Sequence, residues 1–283
     1  MTGRIPRRTG TLMCAVLCAA AALAVAAGTA AGAEFIYDNI PSPFPSGMSS
    51  MAFQATQTSE FGGQVQFAGT VRARPTVTVA MSRWACQSGN WYEDDCVTSP
   101  GATFTEPVTL NVYAVGAEGA PGALLASVTQ TFQMPYRPSA NHTKCPQTGP
   151  EESGKYFRKG ECLHERAFRI VFPHVPLKLP EKAIITVAYN TSQYGPHPYG
   201  ALPCESEPQG CPYDSLNVAV RSPAFEATPV PTVGSDPLPE DAYLSSITAG
   251  NYCENPGGVG TLAISKNCWT NEQPAIEVKA SKT

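Results

Sequence analysis

Charged residues are scarce in this sequence, and basic residues are scarcer than acidic ones. Asp, Glu, Lys and Arg make up 15% of the 283 residues, with 23 acidic against 19 basic side chains. Proteins that bind nucleic acid or anionic membranes present clusters of Lys and Arg on one surface. The composition therefore argues against nucleic acid and acidic membrane surfaces as partners.

Long apolar runs are missing beyond residue 33. No later stretch approaches the roughly 18 apolar residues that a membrane-spanning helix needs. The one apolar run, Leu12–Ala27, follows three arginines within the first eight residues and precedes Ala31-Gly32-Ala33. This is the pattern of a secretory signal with an A-x-A cleavage site. We predict that residues 1–33 are a signal peptide and that a secreted, extracellular chain begins at Glu34.

Cleavage of this signal would make the protein more acidic. The signal contains three basic residues and no acidic ones, so 23 acidic side chains would remain against 16 basic ones, a net charge of −7. We expect no membrane contact after cleavage. The less favoured alternative is a signal anchor that stays in the membrane.

Recognisable catalytic motifs are missing as well. The sequence contains no G-x-S-x-G nucleophile elbow and no H-E-x-x-H zinc helix, and none of its four histidines has a partner at a spacing typical of a catalytic triad. Two carboxylates suffice for glycoside hydrolysis, and four acidic residues lie near aromatic residues or strand ends: Glu60, Glu106, Glu205 and Asp214. An acidic chain offers many such pairs, so solvated carboxylates are the favoured interpretation.

Metal-binding patterns are weak. The cysteines lack the C-x₂₋₄-C spacing that zinc sites favour. Glu93-Asp94-Asp95 could offer oxygen ligands to calcium, but three consecutive acids more often form a solvated patch. We therefore predict no metal and no cofactor.

Cysteine is abundant. Two of the ten cysteines, Cys14 and Cys18, fall in the predicted signal, and an even number remains, which in a secreted chain implies disulfides. Eight cysteines allow 105 connectivities, so the count alone does not fix the pairing. Because they form four neighbouring pairs around turn-rich loops, we predict sequence-local bridges: Cys86–Cys96, Cys145–Cys162, Cys204–Cys211 and Cys253–Cys268.

Alternation of apolar and polar residues dominates the chain from Phe53 onward, with valine, threonine and aromatic residues enriched. This period of two is typical of half-buried strands, and no segment after residue 33 shows a sustained helical period. The proline-rich stretch Asn39–Gly47 is expected to follow a sheet edge or to cross it. The pattern of roughly nine or ten strands predicts an all-β fold: one β-sandwich of jelly-roll type, stapled by local disulfides.

One position suggests a domain boundary. Ser222–Pro239 contains five prolines and could separate a small C-terminal subregion, residues 224–283. We predict a single domain from 34 to 283, because Ile276–Val278 has the pattern of a closing strand.

Several segments carry a family resemblance that spans nearly the whole mature chain. The chain resembles a family of secreted bacterial proteins of actinobacterial type, without an assigned function, in Ile36–Pro41, Phe53–Thr56, Ser59–Gly62, Pro135–Ser139, Ala188–Ser192 and Cys211–Val218. The resemblance implies secretion and a single folded unit. It implies no activity and no catalytic residues.

Two groups of aromatic side chains occur together with amides and acids, the combination that sugar-binding surfaces use. The first lies between predicted strands Ile184–Tyr189 and Ser215–Val220, which we expect to be antiparallel neighbours: Asn190, Tyr194, His197, Tyr199, Tyr213 and Asp214. The second group is Trp84, Trp91 and Tyr92, with Gln87 close by. Tyrosines packed on the sandwich are the alternative interpretation of the first group.

These patterns together predict a secreted, non-catalytic protein that binds polysaccharide or a cell-surface glycan. The first alternative is a structural or adhesive cell-envelope protein with no small ligand. The second is a secreted glycan hydrolase of the carboxylate type.

Overall fold

Antiparallel β-strands account for the architecture of this protein. The computed structural model describes residues 32–53, 58–89, 91, 94–149, 153–189, 216–222, 230–246, 260–265, 269 and 271–282. One helical element lies wholly within these ranges, a 3-10 turn, Ala117–Gly119. None of the described helices is long and apolar enough to cross a membrane.

The strands are numbered in chain order. They are β1 Glu34–Asp38, β2 Ser50–Met51, β3 Thr58–Gln66, β4 Ala73–Arg83, β5 Thr103–Val115, β6 Pro121–Pro135, β7 Tyr156–Arg158, β8 Glu161–Leu163, β9 Arg166–Phe172, β10 Lys182–Ala188, β11 Leu216–Arg221, β12 Ala242–Ser246, β13 Ala263–Ser265, β14 Gln273–Pro274 and β15 Ile276–Ser281.

The described strands form two large sheets and one small one. The seven-stranded sheet has the order β1-β15-β4-β11-β14, with β2 beside β11 and β9 beside β4. The six-stranded sheet has the order β13-β12-β3-β10-β5-β6, and β7 pairs with β8. Every pairing is antiparallel. The predicted all-β class is confirmed.

One hydrophobic core joins the two large sheets. Valines and aromatics at alternate positions of β4, β9, β11 and β15 contribute from one sheet, and those of β3, β5 and β10 contribute from the other. Successive side chains of a strand point to opposite faces, so the period of two in the sequence becomes one apolar and one polar face. At one end of the core, Phe53 stacks on Tyr189 with ring centroids 4.2 Å apart.

A second, smaller apolar layer covers the outer face of the seven-stranded sheet. Ile40 and Met48 pack there against Ala80, Ala219 and Ala275. The segment between β1 and β2 therefore crosses this face, as its prolines lead one to expect.

Two disulfides staple the loops, Cys86–Cys96 and Cys145–Cys162. Both are pairings that the sequence predicts. The predicted pairs Cys204–Cys211 and Cys253–Cys268 lie outside the described residues.

Candidate functional site

The residues of the first predicted site lie outside the part of the chain that the structure describes: Asn190, Tyr194, His197, Tyr199, Tyr213 and Asp214, as do Tyr92, Glu93 and Glu205. The strands on either side of residues 190–215 are described. β10 belongs to the six-stranded sheet and β11 to the seven-stranded sheet, so the expectation that they are antiparallel neighbours is wrong. Their ends nevertheless meet, because the Tyr189 hydroxyl donates a hydrogen bond to the Leu216 carbonyl oxygen at 2.6 Å.

The second predicted site brings two tryptophans together. The ring centroids of Trp84 and Trp91 lie 5.6 Å apart. His164 joins them, with its ring 5.9 Å from Trp84 in a stacked arrangement and 4.6 Å from Trp91. All three side chains are half-buried. We call this group the aromatic trio.

Trp91 of the trio sits on a loop that a disulfide and close backbone contacts hold in place. Trp84 and Trp91 flank Cys86, whose disulfide to Cys96 closes the loop. Gly154 packs against this loop at a φ of +65°, and a Cβ there would lie 2.1 Å from the Trp91 carbonyl oxygen, so only glycine fits. The backbone N–H of Gly154 also donates to Asp94 Oδ1 at 2.8 Å.

Asp94 has neighbours of its own, which bear on the calcium hypothesis. Besides the Gly154 N–H, the same oxygen lies 3.4 Å from Nε2 of His142. Among the described residues, no group of three or more His, Cys, Asp or Glu side chains is arranged to hold a metal ion. Asp94 therefore connects two loops in the described structure.

A cleft of about 460 Å³ opens on the outer face of the seven-stranded sheet. One wall is formed by Pro41, Pro45 and Met48 of the crossing segment, and the other by the end of β11 and Glu272. This volume lies in the range of about 300–1,000 Å³ that is usual for small-ligand sites. Apolar walls with a few polar groups are typical of such sites.

Four polar residues line this cleft: Ser49, Arg221, Ser222 and Glu272. Oε2 of Glu272 and Oγ of Ser222 are buried and have no hydrogen-bond partner among the described residues, and burial raises the pKa of Glu272. Arg221 is 5% exposed and donates from Nη1 to the Asn39 carbonyl oxygen at 3.1 Å. Buried polar atoms without partners are uncommon in proteins, which makes Oε2 of Glu272 and Oγ of Ser222 the candidate acceptors for a ligand's hydroxyl groups.

Gly47 links the cleft to the trio. It lines the cleft, and a Cβ built on it would lie 2.4 Å from Oε1 of Glu165. Glu165 directly follows His164 of the trio. The cleft and the aromatic trio therefore lie close together, one residue apart along the chain at Glu165.

Glu60 is the centre of a hydrogen-bond network on the six-stranded sheet. Its Oε1 accepts hydrogen bonds from Asn111 Nδ2 at 2.8 Å, from the Tyr113 hydroxyl at 3.0 Å and from Thr186 Oγ1. Burial, together with the charge of Glu60, raises the pKa of Tyr113. One carboxylate oxygen thus bridges β3, β5 and β10.

Glu106 lies on the opposite face of that sheet. It alternates along β5 with the residues that hold Glu60, and it shares its face with Val108 and Leu110, which belong to the core. Because the two faces are separated by the sheet, Glu60 and Glu106 cannot flank one glycosidic bond. This pair does not meet the requirement for a carboxylate-type hydrolase.

Sequence reasoning missed His164, Arg221 and Glu272. His164 looked like an ordinary surface histidine, since nothing in its local sequence connects it to Trp84 or Trp91. Gln87, named with the second group, uses its Oε1 to accept from the Ser99 N–H at 2.9 Å.

Comparison with known proteins gave no match. No family model, no curated protein and no solved structure matches this chain.

Proposed function

We propose that this protein is a secreted, non-catalytic binder of polysaccharide or cell-surface glycan, built as a single β-sandwich of jelly-roll type. The observation that carries this proposal is the aromatic trio beside the cleft. Two antiparallel sheets with a shared core support the sandwich architecture.

The chemistry of the surface supports a sugar ligand. Pyranose rings have apolar faces that pack on flat aromatic rings, which Trp84 and Trp91 offer, and hydroxyl groups that seek hydrogen-bond partners. Within the part of the chain that the structure describes, Oε2 of Glu272 and Oγ of Ser222 have no hydrogen-bond partner. The disulfide and the Gly154 contact hold the tryptophan loop before a ligand arrives, so less conformational entropy is lost on binding.

Replacing Trp84 and Trp91 with alanine is expected to weaken glycan binding by tenfold or more, about 1.4 kcal/mol, because the stacking surface is removed. Binding is measured by co-sedimentation with insoluble cellulose, chitin, xylan and peptidoglycan, and then by calorimetric titration with fragments of the polysaccharide that binds.

Trp269 provides the matched control. It is the third tryptophan of the chain and packs edge-on against Phe61 in the core region, with ring centroids 6.5 Å apart. Trp269→Phe should leave binding unchanged. If the protein binds none of these polysaccharides, or if the double variant binds as well as the parent protein, the structural or adhesive alternative is favoured.

The proposal places the mature protein outside the cell. Two disulfides support this location, because such bonds persist in oxidising compartments. We expect N-terminal sequencing of protein recovered from culture fluid to begin at Glu34. Recovery of an uncleaved chain carrying Leu12–Ala27 in the membrane fraction would contradict this expectation.

A further inference from the structure

Strand β6 is a long and uncharged sheet edge. It pairs with β5 and with no other described strand. Its sequence, PGALLASVTQTFQMP, contains no Asp, Glu, Lys, Arg or His. Most of its side chains are exposed or half-buried, and Leu124 and Leu125 are 53% and 38% exposed.

The other described edges are short or charged. β2, β13 and β14 have two or three residues each. β1 carries Glu34 and Asp38, and β9 carries Arg166 and Arg169. Natural proteins use short strands and charges to prevent edge-to-edge pairing. β6 is the one long edge in the described structure that lacks both devices.

We propose that β6 pairs antiparallel with β6 of a second copy of this chain, forming a two-fold symmetric dimer in which the two six-stranded sheets become continuous. The inference does not depend on the proposed glycan binding. It rests on the length, exposure and neutrality of β6.

The sequence of β6 is complementary to itself. The pairing with β5 is regular from Ala126 to Pro135, and a two-fold axis perpendicular to the sheet can pass through Gln130. Val128 then lies opposite Phe132 on one face, and Thr129 lies opposite Thr131 on the other. Pairs of β-branched with aromatic residues, and of threonine with threonine, stabilise neighbouring strands, and no like charges meet.

The size of the contact determines the expected affinity. The regular stretch offers ten residues from each copy, half or less of the roughly 20–30 residues per side in a standard stable interface. The dimer should therefore be weak, with a Kd of about 100 µM. Each copy is negatively charged, so added salt should screen the repulsion and strengthen the dimer.

The test is sedimentation equilibrium of the purified full chain from about 10 µM to about 1 mM, at low and high salt. We expect a monomer–dimer equilibrium that Thr131→Lys weakens by about tenfold or more, because it introduces like charges near the axis. Thr105→Lys is the matched control: it is an exposed threonine on the adjacent strand β5, away from the edge, and should change nothing. Thr131→Glu by itself should also weaken the dimer. Mixing it with Thr131→Lys should restore association, because opposite charges then lie near the axis.

Hydrogen exchange locates the contact. Amides of β6 should become more protected from exchange as the protein concentration rises. Circular dichroism verifies that each variant folds. If Thr131→Lys does not fold, Ser127→Lys replaces it. Three results would overturn the proposal. They are a monomer at every concentration, a dimer that Thr131→Lys and Ser127→Lys both leave intact, or concentration-dependent protection confined to another strand.

Discussion

Replacing Cys145 and Cys162 together with alanine is expected to lower the free energy of unfolding by about 3 kcal/mol. The bridge spans a sequence separation of 17, and the loss follows from the larger conformational entropy that the unfolded chain gains when this loop is open. Chemical denaturation with urea, monitored by circular dichroism, measures it. The midpoint should fall while the fold at zero denaturant is retained.

The second described bridge provides a comparison. Cys86–Cys96 spans a separation of 10, so its removal should cost slightly less, still about 2–3 kcal/mol, and should also loosen the loop that carries Trp91. Mass spectrometry of non-reduced peptides checks the connectivity of the eight cysteines that follow the predicted signal peptide. A link between Cys96 and Cys145 would contradict the local pairing, and an unchanged midpoint would contradict the energetic argument.

Glu106→Gln is expected to stabilise the protein at pH 8 by about 1–3 kcal/mol and to have little effect at pH 4. Glu106 is 7% exposed, and burial raises its pKa from 4.5 to about 7, although the charge of Arg83 partly offsets this. The folded state therefore holds the proton of the Glu106 carboxyl more tightly than the unfolded state does. The contribution of the neutral Glu106 carboxyl to stability is fully present below pH 4.5. It is lost as the pH rises through 7, because the buried carboxyl must then ionise.

The measurement is the free energy of unfolding of both proteins between pH 4 and pH 8. Glutamine mimics the neutral carboxyl at every pH, so the difference between the variant and the parent should grow through this window. Asp236 acts in the same direction, since burial raises its pKa to about 7, and the Glu106 variant should keep that part of the pH dependence. Glu161→Gln, at an exposed position of β8, is the control; a pH profile equally flattened by it would exclude Glu106 as the cause.

The structural role of two buried arginines follows from the fold. Arg83 and Arg137 are fully buried. Arg83 lies 3.8 Å above the Phe104 ring, and Arg137 lies 5.3 Å above the Tyr156 ring. Arginine is usually found on the surface, so the fold decides that both side chains are fully buried. Arg137 also donates a hydrogen bond from Nη2 to the carbonyl oxygen of Gly154, the residue that packs against Trp91.

Local features of this protein were determined by the sequence itself. The period of two specifies strands such as β4 and β5, because alternation of side chains is a property of each extended segment alone. The bridges Cys86–Cys96 and Cys145–Cys162 were predictable because their partners are close in the chain.

Only the tertiary structure decided which distant segments meet. It assigned β10 and β11 to different sheets, placed Glu60 and Glu106 on opposite faces, and brought His164 to Trp84. These outcomes depend on strand order and register between segments far apart in sequence. Alternation within one strand sets which of its faces is apolar, but not which distant strand it pairs with, and a slip of two residues would bury the same face.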